Sequence, residues 1–565
     1  MLFNSRSPGS IQVLLRTVKI DSAGRLNILT SAADPSPPSG VRPLATLTHQ
    51  IPADRRYWVL GAVMLVQFTS ILTSTIVSTA APTIVGELHG LDLYAWLFSS
   101  YMLASSVTVP VVGKLSDLFG RRPFYIAGLL IFLLGSAGSG LSQNMGELIA
   151  TRALTGIGGG ALMALGVTTI GDIFSPRERG RWMGLIMSVF GLGSIVGPLV
   201  GGFITDHFGW RWVFYVNLPL GLIALVLIGF LLPRLAGHGR VRIDWLGIAL
   251  LVAGVLPILV GLTWAGLTYP WGSPQVISAL VTGAILLVAF AVWENHAAEP
   301  ILTLHLFENR AFTVAVVLSF LVGIALFGAL TFLPLYAQGV LGYSAQDSGL
   351  VLAPLMVGFV LGSLVGGQLT TRTGRYKLQT VIGMVVAVVG MFLLSRLSAD
   401  STFSQALVAM VVTGVGVGAV FPTLSVVVQS AFPYRMLGTA NAGRQFFNNL
   451  GAVVGVPVMA TIVIETLKNE LPRHLPATIG SRLAASIASG AEGLIAGQNQ
   501  GLSQAFGRLP PAIIHDVLSA VRVSLAIGVE RAFFLGTALA ALGVVVALFL
   551  PEIPLRGTIQ DHPTS

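Results

Sequence analysis

Only 10% of the 565 residues of this chain are charged and 54% are hydrophobic, where a soluble domain carries roughly 25% charged residues. That deficit excludes a water-solvated globule for most of the chain and makes lipid its solvent. A net charge of +9 then reads as basic loops at a membrane surface rather than as a nucleic-acid footprint, and the absence of cysteine excludes disulfides and thiolate metal sites.

Residues 1–56 are polar and Ser/Pro-rich, with seven Lys and Arg, and are expected to form a disordered cytoplasmic tail; an organelle-targeting segment is a rival reading. Fourteen apolar segments of spanning length follow, near 57–80, 94–112, 123–141, 146–170, 182–203, 212–232, 244–264, 275–293, 311–338, 347–369, 378–396, 404–429, 437–464 and 531–550. Each must satisfy its own backbone hydrogen bonds in lipid, so each is a helix. With the N-terminus inside, the short inner loops carry fourteen basic residues, from Lys114 to Arg435, and the short outer loops only Arg211 and Arg396. Both termini are therefore expected in the cytoplasm. Residues 465–530 are expected to be a long external loop, with a surface-lying amphipathic helix over 512–534 and a short cytoplasmic tail over 551–565.

The chain repeats itself. GKLSDLFGRR (113–122) is echoed by GQLTTRTGR (367–375), GIGGG (156–160) by GVGVG (414–418), and GLGSIVG (191–197) by NLGAVVG (449–455), at offsets of 254, 258 and 258. Near-constant offsets imply two six-helix halves, 57–232 and 311–550, with two extra helices inserted in the segment 233–310. Duplicated halves around a central cavity are the architecture of secondary transporters.

The first repeated motif has a physical reading. Gly113 allows close helix approach, Gly120 a tight turn, and Asp117, Arg121 and Arg122 a charge network that latches the halves at the cytoplasmic end; simple topological anchoring by the arginines is the plainer alternative. Thr371 takes the aspartate place in the second copy, so that latch is expected to be weaker. Arg152 is a cation inside the fourth span, which marks a functional site unless backbone carbonyls or a hydroxyl hold it. Gly193, Gly197, Gly201 and Gly202 make a close-packing stripe on the fifth span, kinked by Pro198. Arg444, Gln445, Asn448 and Asn449 cluster in the thirteenth segment and should face the bundle interior. Gln67, Phe68, Tyr101, Tyr336 and Gln338 are further cavity candidates, with helix–helix hydrogen bonding as the equal alternative.

With its two-half layout, GKLSDLFGRR, TIVSTAAPTI (75–84), AWLFSSYMLA (95–104), RALTGIGGGA (152–161), GSIVGPLVGG (193–202), WRWVFYVNLP (210–219) and FLPLYAQGVLGYS (332–344), the chain resembles the fourteen-helix drug:proton antiporter branch of the major facilitator superfamily. The resemblance implies an all-α integral membrane fold of fourteen transmembrane helices and export of hydrophobic or amphipathic small molecules. It implies a central-cavity arginine linked to proton exchange at Arg152 and an antiporter motif at 193–202. It also implies an aspartate where this chain has Thr73. Here a row of hydroxyls stands instead, Thr73, Ser74, Thr75, Ser78 and Thr79, and Asp172, Asp206, Asp244, Glu294, Asp347 and Glu465 all fall near span ends. A missing counter-charge predicts weak preference for cations. A dedicated exporter of a natural product, siderophore or lipid, or a non-transporting receptor, are the alternatives. No Walker A sequence and no metal-ligand spacing occurs, GIGGG follows no strand, and no enzyme constellation is present. The expected partners are a small-molecule substrate and the bilayer, with no nucleic acid, no cofactor and a monomeric chain.

Overall fold

A computed structural model describes residues 18–20, 26–28, 55–88, 93–233, 243–265, 269–297, 304–342, 351–433, 436–475 and 511–552. Within the stretch expected to be a disordered tail, the described residues are two strands, β1 (Val18–Ile20) and β2 (Leu26–Ile28). They pair antiparallel with Lys19 opposite Asn27, and alternate apolar and polar residues as a short ribbon requires. This ribbon belongs to a compact unit of its own, residues 1–45.

The second unit, residues 46–565, is helical among its described residues and contains fourteen helices long and apolar enough to cross a membrane. They are α1 (Arg56–Leu88), α2 (Tyr94–Phe119), α3 (Arg121–Leu141), α4 (Met145–Ile173) and α5 (Pro176–Phe208). A single turn, Trp212–Tyr215, leads into Asn217–Leu231, and the two pieces together are α6. Then come α7 (Trp245–Trp264), α8 (Pro274–Glu294), α9 (Arg310–Gly339), α10 (Ala353–Thr373) and α11 (Lys377–Leu394). The last three are α12 (Phe403–Ala431), α13 (Leu437–His474) and α14 (Pro511–Leu548).

Local chemistry sets the breaks. Asn144 caps α4 by accepting from the Glu147 amide at 2.9 Å, and Asn309 caps α9 through the Ala311 amide at 2.9 Å. Gly120 and Gly374 occupy the same place in the two copies of the repeated motif, and both turn with positive φ, 87° and 67°. A side chain at either position would strain the backbone.

The packing repeats with the sequence. In the first half α2 lies on α4, α4 on α3, α1 on α5 and α3 on α6. In the second, α10 lies on α12, α12 on α11, α9 on α13 and α11 on α14. The halves meet where α5 packs on α10 and α2 packs on α13. The inserted pair α7–α8 leans on α2 and α13 from outside. Of the apolar stretches, 78% of that in α4 and in α12 is buried against 17% of that in α8, so the repeated helices form the core and α8 its periphery. Outward-facing Phe230, Trp58, Leu134 and Leu141 leave a surface only lipid would solvate.

Two expectations change at one end of the bundle. α13 continues to His474, and α14 runs unbroken from Pro511, so the stretch 512–534 is the first half of a spanning helix rather than a separate surface helix. The physical reason is a partnered extension. Arg531 of α14 bonds Glu470 of α13 at 2.9 Å, and Leu525, Ala526 and Val529 are buried beneath it. Of the stretch 465–530 expected to be a loop, residues 465–474 and 511–530 are helical, and most of the part between them lies outside the described residues.

Candidate functional site

A cavity lies between the halves, with about 570 Å³ of atom-free space including its opening. α1 contributes Gln67 and Ile71, α4 Met163 and Val167, and α5 Ile186, Met187 and Phe190. The second half adds Leu326 and Phe327 from α9, Phe359 from α10, Phe421 from α12, and Gln445, Asn448 and Asn449 from α13. The wall is thus mostly apolar, built from phenylalanine, methionine and aliphatic side chains, and is adaptable to apolar bodies of varied shape. Among the described residues its polar groups are four side-chain amides, and none of those lining it is titratable.

Of the candidates read from the sequence, Gln67, Gln445, Asn448 and Asn449 line this space. Phe68 packs on a first-half apolar cluster, and the Tyr101 hydroxyl donates to the Ser70 carbonyl at 3.2 Å. The Tyr336 hydroxyl donates to the Ser398 carbonyl at 2.8 Å, away from the cavity wall. The Gln338 side chain lies outside the described residues. Arg444 is fully buried one layer behind the wall, donating to Gln445 Oε1 at 3.3 Å and Ser319 Oγ at 3.4 Å. The aromatic and methionine wall went unread because Phe and Met inside an apolar span look the same facing lipid or facing a cavity.

Arg152 does not line the cavity. Its guanidinium donates to the Leu97 carbonyl at 3.2 Å and the Thr73 carbonyl at 3.4 Å, and sits 4.7 Å above the Tyr101 ring. The Thr73 hydroxyl turns away to its own helix, donating to the Thr69 carbonyl at 2.9 Å. Thr75 and Thr79 likewise bond carbonyls of α1, and Thr75 also reaches the Gly193 carbonyl at 3.2 Å. The hydroxyl row is therefore part of a seam. A Cβ on Gly193 would meet Ile71 at 2.9 Å, one on Gly201 would meet Thr79 Oγ1 at 2.5 Å, and one on Gly197 would strike Thr75. The face at Gly202 is open. Pro198 lies inside α5 between these glycines. This seam joins α5 to α1 within the first half rather than joining the halves.

At the basic end the halves are tied. Asp117 pairs with Arg121 at 2.5 Å, and Arg121 also bonds Asp172 of α4 at 2.9 Å. The Asp117 carboxylate crosses to the second half and accepts from the amides of Gly438 and Thr439 at 3.1 and 2.8 Å, which are free donors of the first turn of α13. Gly113 makes the approach possible, since a Cβ there would overlap Ala442. Arg122 donates to the Gly229 carbonyl of α6, a contact within its own half. In the symmetric place Thr371 Oγ1 accepts from the Arg181 amide in the second turn of α5 at 2.8 Å. One tie is thus charged and its twin neutral. At the opposite end Glu87 accepts from Trp210 Nε1 at 2.7 Å and Arg211 at 2.5 Å. These bonds hold its carboxyl below the usual glutamate range.

Comparison with known proteins fits this geometry. Residues 63–456 match the Major Facilitator Superfamily. The chain is 36% identical over 509 residues to a multidrug transporter protein, MdtP, of Bacillus subtilis (strain 168), covering 89% of this chain and 94% of that one. It is 37% identical over 415 residues to an acurin A biosynthesis cluster transporter of Aspergillus aculeatus, covering 72% and 75%. Among solved structures, a proton:xylose symporter bound to 6-bromo-6-deoxy-D-glucose superposes with a TM-score of 0.58 at 15% identity, covering 88% of this chain and 97% of that one; this likeness is one of fold.

Proposed function

The chain belongs to the major facilitator superfamily, and we propose that within it this protein exports hydrophobic or amphipathic small molecules, using the proton gradient, by alternating access of the two halves. The observation that carries this reading is the cavity itself. It lies between the halves, draws its wall from seven helices, and is apolar except for a patch of amides. Hydrogen-bonded ties hold the halves together at the basic end, among them Asp117–Thr439, Thr371–Arg181 and Arg179–Gln429, so a rocking of the halves that breaks them would open the cavity on that side. Basic residues on the loops of that end support a cytoplasmic position for it and for both termini. The multidrug relative supports drug efflux from a cell membrane as the activity.

A second reading has an observation of its own. Among the described residues no acid lines the cavity, and position 73 offers a threonine already bonded to its own helix. A proton carrier then has to lie elsewhere, with Asp172, buried on α4 and bonded to Arg121, as the candidate. Without such a carrier the protein is an exporter that runs downhill, and the biosynthesis-cluster relative supports a dedicated cargo.

The test is accumulation of apolar dyes and drugs in inside-out vesicles with a pH gradient imposed and then collapsed by a protonophore. Proton-driven export predicts accumulation that stops on collapse and that Asp172→Asn uncouples. Movement that is only ever downhill supports the second reading. Well-folded protein that moves nothing sinks both.

A further inference from the structure

We propose that the central cavity selects amphipathic anions, small molecules with a carboxylate, sulfonate or phosphate on an apolar body, and that Arg444 is the residue that determines this selectivity. The inference rests on reading the cavity as the transport site. Arg444 follows from the helix that carries the polar wall, one position before Gln445. It is fully buried, 5.3 Å from the Phe421 ring, and no acidic side chain among the described residues pairs with it. Its Nε has no hydrogen-bond partner. An arginine stays charged at any physiological pH, and a buried charge without a counter-charge is expensive to hold in a low-dielectric interior.

Arg444 also sets the polarity of the wall. A guanidinium only donates, so the Gln445 oxygen must turn toward it, at 3.3 Å. The Gln445 amide NH₂ is then directed to the oxygens of Asn448 and Asn449, at 3.4 and 3.0 Å. The Asn448 NH₂ is taken by the Ser319 carbonyl at 2.9 Å. Each of these three amide oxygens already accepts one hydrogen bond, and the Asn449 NH₂ is left as the patch's unengaged donor group. A cationic guest meets a like charge on α13, and the unbonded acceptor on the wall, Gln67 Oε1 of α1, is a neutral amide oxygen that supplies no counter-charge. An anionic guest meets donors and supplies the missing counter-charge. Elsewhere in the helices the balance does not reverse this. Asp117 and Asp172 are held at the basic end by Arg121 and by the start of α13, and Arg152 is a second buried cation bonded to carbonyls.

The test uses the full chain in phosphatidylcholine nanodiscs and three probes with one apolar body: pyrenebutyrate, pyrenebutanol and pyrenebutylamine. Binding is read by calorimetric titration against empty discs. The butyrate should bind at least about tenfold more tightly than the amine, with the alcohol between them. Arg444→Gln should bring butyrate and butanol to the same affinity, and Arg444→Lys should keep the preference. Should Arg444→Gln fail to fold, Asn449→Asp gives the second reading: a carboxylate on the wall should turn the preference toward the amine. The proposal is overturned if the wild type binds the amine as tightly as the butyrate. It is also overturned if folded Arg444→Gln keeps the wild-type ratio. Competition by phosphatidylglycerol in the disc assigns the anion to a lipid headgroup, and lack of competition assigns it to a diffusible amphiphile. Transport separates this inference from the export reading. Equal export of all three probes from proteoliposomes leaves export standing and removes the selectivity; Arg444-dependent binding without any transport does the reverse.

Discussion

Single residues in this protein act mainly through what their neighbours leave them. Thr73 occupies a place where a titratable acid would change the chemistry, and its hydroxyl is satisfied by the carbonyl one turn back. Arg152 and Arg444 are both buried cations, yet one is held by carbonyls and a ring while the other orients a cavity wall. Outside the spans, Glu87 carries a clear pH signature. Its carboxyl is held below the ordinary value of 4.5, by Arg211 first and Trp210 second. A lowered acid contributes stability above its unfolded value and loses it as the pH falls through the folded one. Wild type should therefore melt above Glu87→Gln near neutral pH, with the gap closing as the pH falls below about 4. Thermal melts of both proteins in detergent across that range check it. Half of the Glu87 side chain is exposed, so the gap should be small and shrink in salt.

At the scale of elements, the antiporter-like stripe on α5 is a packing device within the first half. Gly193, Gly197 and Gly201 let α5 settle against the hydroxyl-bearing face of α1, and Gly202 points to open space. Gly197→Val should lower the stability of the folded protein by about 1–3 kcal/mol, the usual range for overpacking. Gly202→Ala should leave it unchanged. Melting temperature by fluorescence-detected size exclusion distinguishes the two; equal behaviour would mean the seam relaxes freely. The spacing of these glycines was legible in the sequence, but their partner was not. An apolar helix in lipid has apolar residues on every side, so its pattern does not say which face meets a neighbour.

For the whole molecule, the decisive relation is between the halves. Asp117 and Thr439 lie 322 positions apart and meet at 2.8 Å at the basic end. If alternating access requires that contact to break, a disulfide across it should stop transport. The chain has no native cysteine, so Asp117→Cys with Thr439→Cys forms the only possible bridge. Oxidised protein should lose flux and recover it with a reductant, while Thr439→Cys alone stays active under both conditions. Undiminished flux through the oxidised double variant would mean the halves do not part at this end.

Hydropathy alone determined the fourteen spans, because each apolar run must close its own hydrogen bonds in lipid. The repeated motifs alone determined the duplication, because three separate stretches recur at nearly one offset. Those two facts, with the motif residues, already placed the chain in its family. Only the tertiary structure decided which polar residues meet. It put Asp117 on the start of α13, Thr371 on the Arg181 amide of α5, and Gln67 and Asn448 in one cavity wall, and it left Arg444 without an acid among the described residues. It also joined the predicted surface helix to the last span, through Arg531 and Glu470. The reason is the same throughout. Lipid rewards apolar side chains equally on all faces of a helix, so contacts between helices are encoded in fit and hydrogen bonding that become readable only when the helices are side by side.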